Sequence, residues 1–228
     1  MTTEDPVFTV EADYLHFYRI YPKVTSHGDP GSVIWFGFAG YYYNDKTKAW
    51  DLRPGNRYDP VRTVKDGSDP GGTCYVADMA LGAFVEVFVR LGAVAISEST
   101  VFQNRMATVS LNSSVDVCNV MSPANVGLRG MEPNLWNEVG PPYPKSQQFA
   151  KQIRDEGLKG IHFRSVRDPS GELENVATFS EKSGLDVGNM FHVVADYEIP
   201  PSLIESAADR YKIQVARDPS GPAGYFRP

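Results

Sequence analysis

Apolar positions along this chain follow two patterns, and each predicts its own kind of element. Short runs rich in β-branched and aromatic residues, bounded by turn residues, predict strands over 15–20, 33–38, 115–120, 160–163, 176–179, 191–197 and 211–216. Two segments keep a helical period instead. Leu81, Phe84, Val85, Phe88 and Val89 recur at i, i+3, i+4, i+7 and i+8, with Asp78 placed as the N-cap. The pattern over 146–156 predicts a second helix that buries Phe149, Ala150 and Ile153 and stops at Gly157. A shorter helix over 202–209 follows Pro200-Pro201. Strands outnumber helices and do not alternate with them regularly, which predicts an α+β fold rather than a doubly wound sheet.

Length and composition narrow the class. A chain of 228 residues is long enough for one real core, so a single domain over 1–228 is expected. With 42% hydrophobic and 12% aromatic residues it is neither disordered nor collagen-like. Glycine and proline gather in clusters such as Asp69-Pro70-Gly71-Gly72, which punctuate short elements. Two cysteines, Cys74 and Cys118, make neither a disulfide framework nor a four-ligand zinc site and read as structural thiols. The acidic start lacks the apolar stretch of a signal peptide, and Glu86 and Arg90 interrupt the most apolar region, 79–96. A soluble, cytoplasmic protein without membrane contact is the expectation.

The net charge of −6 argues against a nucleic-acid groove, since such proteins carry a cationic excess. That charge is unevenly spread. Residues 1–13 hold four carboxylates and no Lys or Arg, whereas 53–65 and 151–167 are each +3. A small cationic site sized for one pyrophosphate is compatible with this distribution.

Four positions stand out within it. Glu86 sits at the flank of an apolar helical stripe, where a carboxylate is solvated, paired or functional. Arg57, in Arg53-Pro54-Gly55-Asn56-Arg57-Tyr58-Asp59-Pro60, reads either as a solvated surface side chain or as a bidentate phosphate ligand. Arg19, inside the aromatic strand His16-Phe17-Tyr18-Arg19-Ile20, calls for an anionic partner in the protein or a ligand. Ser165 ends a short strand between Arg164 and Arg167, without the Gly-x-Ser-x-Gly elbow of a nucleophile, so hydrogen bonding is expected of it rather than attack. No metal spacing links the four histidines, and neither a Walker loop nor a Gly-x-Gly-x-x-Gly fingerprint occurs.

Taken in order, these segments resemble the RES-domain family, named for its Arg, Glu and Ser. The likeness runs through Phe17-Tyr18-Arg19-Ile20, then Gly55-Asn56-Arg57-Tyr58-Asp59-Pro60 and Cys74-Tyr75-Val76-Ala77. It continues with Ala83-Phe84-Val85-Glu86-Val87 and closes on 160–167 with Asn175-Val176-Ala177-Thr178-Phe179, covering about residues 15–180 and leaving 181–228 as a C-terminal extension. Gly55-Asn56 stands where the family often has Gly-Gly, and 61–72 resembles an insertion.

The resemblance implies an ADP-ribosyltransferase-like fold, with short strands around a central cleft that binds NAD+ as substrate without a metal. Family members are toxins that degrade NAD+ or transfer ADP-ribose, commonly restrained by an antitoxin, so a cognate antitoxin or immunity protein is the implied partner. On this sequence the implied catalytic groups are Glu86 and Arg57. Arg19 and Arg57 would hold the pyrophosphate, Tyr75 and Tyr58 would wall the nicotinamide, and Ser165 would bond the ribose or carboxamide. Arg164 and Arg167 are left with a structural or phosphate role. Cleavage by water or phosphate is expected. Protein ADP-ribosylation and a non-catalytic nucleotide-binding module are the alternatives. Phe84 stands where arginine-directed transferases often carry a second glutamate.

Overall fold

The computed structural model describes residues 5–12, 16–25, 29–53, 55–89, 95–133, 135, 138, 142–185 and 189–217. Leu15, His27, Arg90 and the segment 218–228 lie outside the described residues, and with them part of the expected first strand. The chain opens with β1 (Val7–Val10), β2 (Phe17–Pro22), β3 (Trp35–Phe36), β4 (Ala39–Asn44), β5 (Ala49–Arg53) and β6 (Val61–Arg62). β7 (Gly72–Ala77) leads into helix α1 (Ala80–Phe88), followed by β8 (Ala95–Ser97), α2 (Glu98–Phe102), β9 (Asn104–Leu111) and β10 (Val115–Asn119). Helices α3 (Ala124–Arg129) and α4 (Pro144–Asp155) precede β11 (Gly160–Arg164), β12 (Glu174–Ser180), β13 (Gly184–Leu185) and β14 (Phe191–Glu198). Helix α5 (Pro201–Tyr211) and β15 (Gln214–Ala216) complete the described elements.

The fold mixes several sheets with few helices. Its main sheet has eight strands in the order β1-β10-β11-β12-β7-β2-β9-β14. β10 and β11 run parallel, and the other neighbours are antiparallel. One junction differs from the rest. β12 pairs with β7 from Asn175↔Ala77 to Ser180↔Gly72, and β2 pairs with β9 from Phe17↔Val109 to Pro22↔Asn104. Between those two continuous ladders, β7 and β2 meet at Tyr18↔Ala77 alone. Ala77 ends β7 and Tyr18 lies near the start of β2, so the ladder is interrupted along the rest of the two strands, between 19–22 and 72–76.

The helices seat themselves by the faces their periodicity predicts. Phe84 and Val85 of α1 are fully buried beside Met106, Ile204 and Ala207. Phe149, Ala150 and Ile153 of α4 pack on Ile161, Phe163 and Ala177. Gly157 follows α4 with φ +86°, the left-handed conformation that a helix-ending glycine adopts without a Cβ clash. Both cysteines are free and buried. The expected Asp78 cap is not formed. α1 starts from Met79 without a side-chain cap, because Asp78 instead accepts the Glu174 backbone N–H at 3.2 Å and ties the start of α1 to β12.

Candidate functional site

The split between β2 and β7 opens into a cavity of about 540 Å³, within the range of small-molecule sites. Arg19 lines it from β2, Tyr75 from β7, Glu86 from α1, Asn175 from β12 and Phe163 from β11. The loops supply Asn56, Arg57, Glu138, Tyr143 and Arg167.

Glu86 is held from three directions. The Ser165 hydroxyl donates to Oε1 at 2.6 Å, and the Asn175 amide donates to the same oxygen at 3.3 Å. Arg167 places its Nε 3.6 Å from Oε2 and donates through Nη1 to the Glu86 carbonyl. The side chain keeps 31% exposure, so it is fixed but still open to the cavity. Such a carboxylate is preorganised, because its donors stand in place before any ligand arrives.

Arg19 spans the split itself. Its Nη1 donates to the Tyr75 carbonyl and approaches the Cys74 sulfur, each at 2.9 Å, and Nη2 reaches the Trp35 carbonyl at 3.4 Å. These acceptors are neutral, and among the described residues Arg19 forms no ion pair. The anionic partner expected of an arginine in an aromatic strand is thus not a protein carboxylate there.

Arg57 owes its position to a tightly wired turn. Gly55 takes φ +67°, and a Cβ there would lie 2.3 Å from the Ala39 Cβ. Asp59, fully buried, accepts the Asn56 backbone N–H at 2.8 Å and the Tyr75 hydroxyl at 3.1 Å. Tyr75 in turn accepts the Tyr58 backbone N–H at 2.8 Å. Burial raises the Asp59 carboxyl, and burial together with the Asp59 charge holds the Tyr75 phenol well above its ordinary range. Arg154 supports the same turn from α4. It lies 3.7 Å from the Phe179 ring and donates to Thr73 Oγ1 at 2.6 Å, and burial pulls it down to about 10. Arg57 leaves this knot toward the cavity, where Nη2 donates to the Glu138 carbonyl at 3.1 Å and the Tyr143 ring lies 5.7 Å away. It too forms no ion pair among the described residues. The Glu138 carboxylate accepts backbone donors, Ser146 N–H at 2.8 Å and Lys145 N–H at 3.2 Å; burial pushes it up, but these bonds and the nearby Arg57 charge outweigh burial and hold it below its usual range.

Two sequence assignments are corrected. Tyr58 is fully buried against Phe163, ring centroids 5.0 Å apart, beneath the site rather than on its wall. Its ring lies in the core while its hydroxyl comes beside the Arg57 guanidinium. Ser165 is 3% exposed, its hydroxyl is engaged by Glu86, and it lies behind that carboxylate rather than on the cavity lining. Of the two roles expected for Arg167 it takes the structural one, as a partner of Glu86. Sequence reasoning also gave no role to Asn175, Asp59 and Glu138. An amide opening the apolar run Asn175-Val176-Ala177 was the one visible signal.

Among the described residues no group of three or more His, Cys, Asp and Glu side chains could hold a metal ion, and no helix is long and apolar enough to cross a membrane. No curated protein matches the sequence. Among solved structures, a chain of the M. tuberculosis MbcT-MbcA toxin-antitoxin complex superposes with a TM-score of 0.53, covering 88% of this chain and 92% of that one. At 13% identity that likeness concerns the fold. The family model described as the RES domain matches residues 35–193, beginning after Arg19 and taking in Arg57, Tyr75, Glu86 and Ser165. The match spans well over half of the sequence and includes most of the residues that converge on the cavity, and on that ground the chain belongs to the RES domain family.

Proposed function

We propose that this protein is an ADP-ribosyltransferase-like enzyme that cleaves the nicotinamide N-glycosidic bond of NAD+, acting as a toxin that depletes the cofactor. One observation carries the reading: a preorganised carboxylate, Glu86, shares a cavity with two arginines, Arg19 and Arg57, that form no salt bridge among the described residues. A dinucleotide supplies what each lacks. Its pyrophosphate suits paired guanidinium donors, and its ribosyl centre gains positive charge as the glycosidic bond breaks.

The bond electrons leave with the pyridinium nitrogen, so nicotinamide departs neutral and no general acid is needed. Glu86 stabilises the oxocarbenium-like C1′ and accepts from a ribose hydroxyl. Water or phosphate then adds to C1′ through oxygen and releases a proton to solvent. Tyr75 offers an aromatic edge to the nicotinamide. Small acceptors are favoured because position 84 holds a fully buried phenylalanine rather than a second acidic group.

The toxin-antitoxin title of the similar structure supports a protein antitoxin as partner, and the absence of a long apolar helix among the described residues fits action in the cytoplasm. The test is to incubate the purified protein with NAD+ carrying label in its ADP-ribose portion, then to quantify nicotinamide, soluble ADP-ribose products and protein-bound label. Nicotinamide with soluble products supports this reading. Label on protein would assign transfer, and no nicotinamide release would leave nucleotide binding without catalysis.

A further inference from the structure

Helix α5 lies beyond the residues matched to the family, yet its last turn reaches the loop that holds Glu86. Tyr211 donates its hydroxyl to Asp168 Oδ1 at 2.9 Å, and Arg210 Nη2 approaches the same oxygen at 3.4 Å. Arg210 also donates to Ser170 Oγ and Glu172 Oε2, both at 2.6 Å. The Asp168 side chain is 1% exposed, and its other oxygen accepts from the Ser170 hydroxyl, Glu172 N–H and Leu173 N–H at 2.7, 2.9 and 3.1 Å. A buried carboxylate with that many donors fixes the loop around it.

The loop is also closed at its start. Ser165 N–H donates to the Leu173 carbonyl at 2.8 Å, and Asp168 N–H to the Ser165 carbonyl at 3.3 Å. Arg167 N–H donates to Ser165 Oγ at 3.2 Å, which leaves the serine hydrogen directed at Glu86. Ile204 and Ala207 of α5 meanwhile pack in the same apolar cluster as Phe84 and Val85, the two residues before Glu86. Both members of the Ser165–Glu86 pair are thus supported by one helix.

We infer that the Arg210–Tyr211 end of α5 is a latch that positions Glu86, acting through Asp168 and the 165–173 loop. This rests on the catalytic reading of Glu86 given above. Arg210 and Tyr211 are positioning residues: they do not line the cavity, and their effect on a reaction passes through Ser165 and Arg167.

The experiment compares Tyr211→Phe and Arg210→Met with Lys212→Ala, whose ammonium pairs with the exposed Asp209 on the same turn. Amide exchange over 165–173 and the Glu86 carboxyl-carbon resonance are read on the free protein, and nicotinamide release and NAD+ affinity in parallel. The latch predicts exchange and kcat each changed on the order of tenfold, with affinity within about twofold and Lys212→Ala like wild type. A merely stabilising helix end would lower the melting temperature and leave the Glu86 resonance and kcat in place, which would overturn the inference. If wild type releases no nicotinamide, the NAD+ reading fails by itself. Exchange and the Glu86 resonance then decide the latch: movement in both variants upholds it, and silence in both refutes it.

Discussion

Ser165 and Glu86, 79 positions apart in sequence, meet through a hydroxyl-to-carboxylate hydrogen bond of 2.6 Å at the wall of the cavity. This pair joins the two halves of the site: α1 brings the carboxylate, and the turn after β11 brings the donor that orients it. Ser165→Ala is expected to lower the rate of nicotinamide release about tenfold while NAD+ affinity stays within about twofold, because one charge-assisted hydrogen bond is lost without a ligand contact. Steady-state kinetics set against calorimetry separate this from a binding role, in which affinity would fall instead.

Arg19 and Arg57 are expected to govern affinity. Replacing either with alanine removes donors to an anionic group and should weaken NAD+ binding about ten- to a hundredfold. Titration calorimetry checks each one. An arginine whose loss leaves the dissociation constant unchanged does not touch the dinucleotide.

Tyr58 separates a core residue from a ligand wall. Its ring is core and its hydroxyl meets only the neighbouring Arg57 side chain, so Tyr58→Phe should keep stability near wild type and change NAD+ affinity by no more than about threefold. Tyr58→Ala empties a fully buried position and should cost about 3–5 kcal/mol in denaturant unfolding. A marked loss of affinity in Tyr58→Phe would return this residue to the ligand.

Acid should act through Asp168. Burial pushes its carboxyl up, but the hydrogen bonds from Ser170, Tyr211, Leu173 and Glu172 outweigh burial and hold it at about 2, below its usual 3.8. The folded value lies below the unfolded one, so the stabilisation is complete above about pH 4 and is lost as pH falls toward 2. The loss attributable to this group is about 2 kcal/mol. Denaturant unfolding of wild type and Asp168→Asn across pH 2–5 measures it. The asparagine variant should be less stable at neutral pH and flatter in this window. Parallel curves would show that Asp168 contributes no such dependence.

The helices α1 and α4 were legible in sequence because three-to-four-residue spacing of Phe, Val, Ile and Ala survives into their buried faces, and α5 because it follows Pro200-Pro201. Strands β10, β11, β12 and β14 were legible as β-branched runs. β9 was not. Its Asn104, Arg105, Thr108 and Ser110 break the apolar alternation, and pairing with β2 and β14 on either side makes it a central strand all the same. The expected strand over 211–216 shrank to β15, because Tyr211 completes α5 and turns its hydroxyl to Asp168. At the site, the family resemblance pointed to Glu86, Arg19, Arg57 and Tyr75, and all four line the cavity. Which of two adjacent groups faces a ligand was not legible, since it depends on turn geometry at Arg57-Tyr58 and on the long-range contact between Ser165 and Glu86.

The most direct test of the account is the rate of nicotinamide release from saturating NAD+ by wild type and by Glu86→Gln, with both proteins shown to melt alike and to bind NAD+ alike. Glutamine keeps the shape and can still accept from Ser165, but it removes the charge that stabilises the ribosyl centre. The account predicts release by wild type and a loss on the order of a hundredfold or more in the variant. Equal rates from the two proteins, or none from wild type, would contradict it.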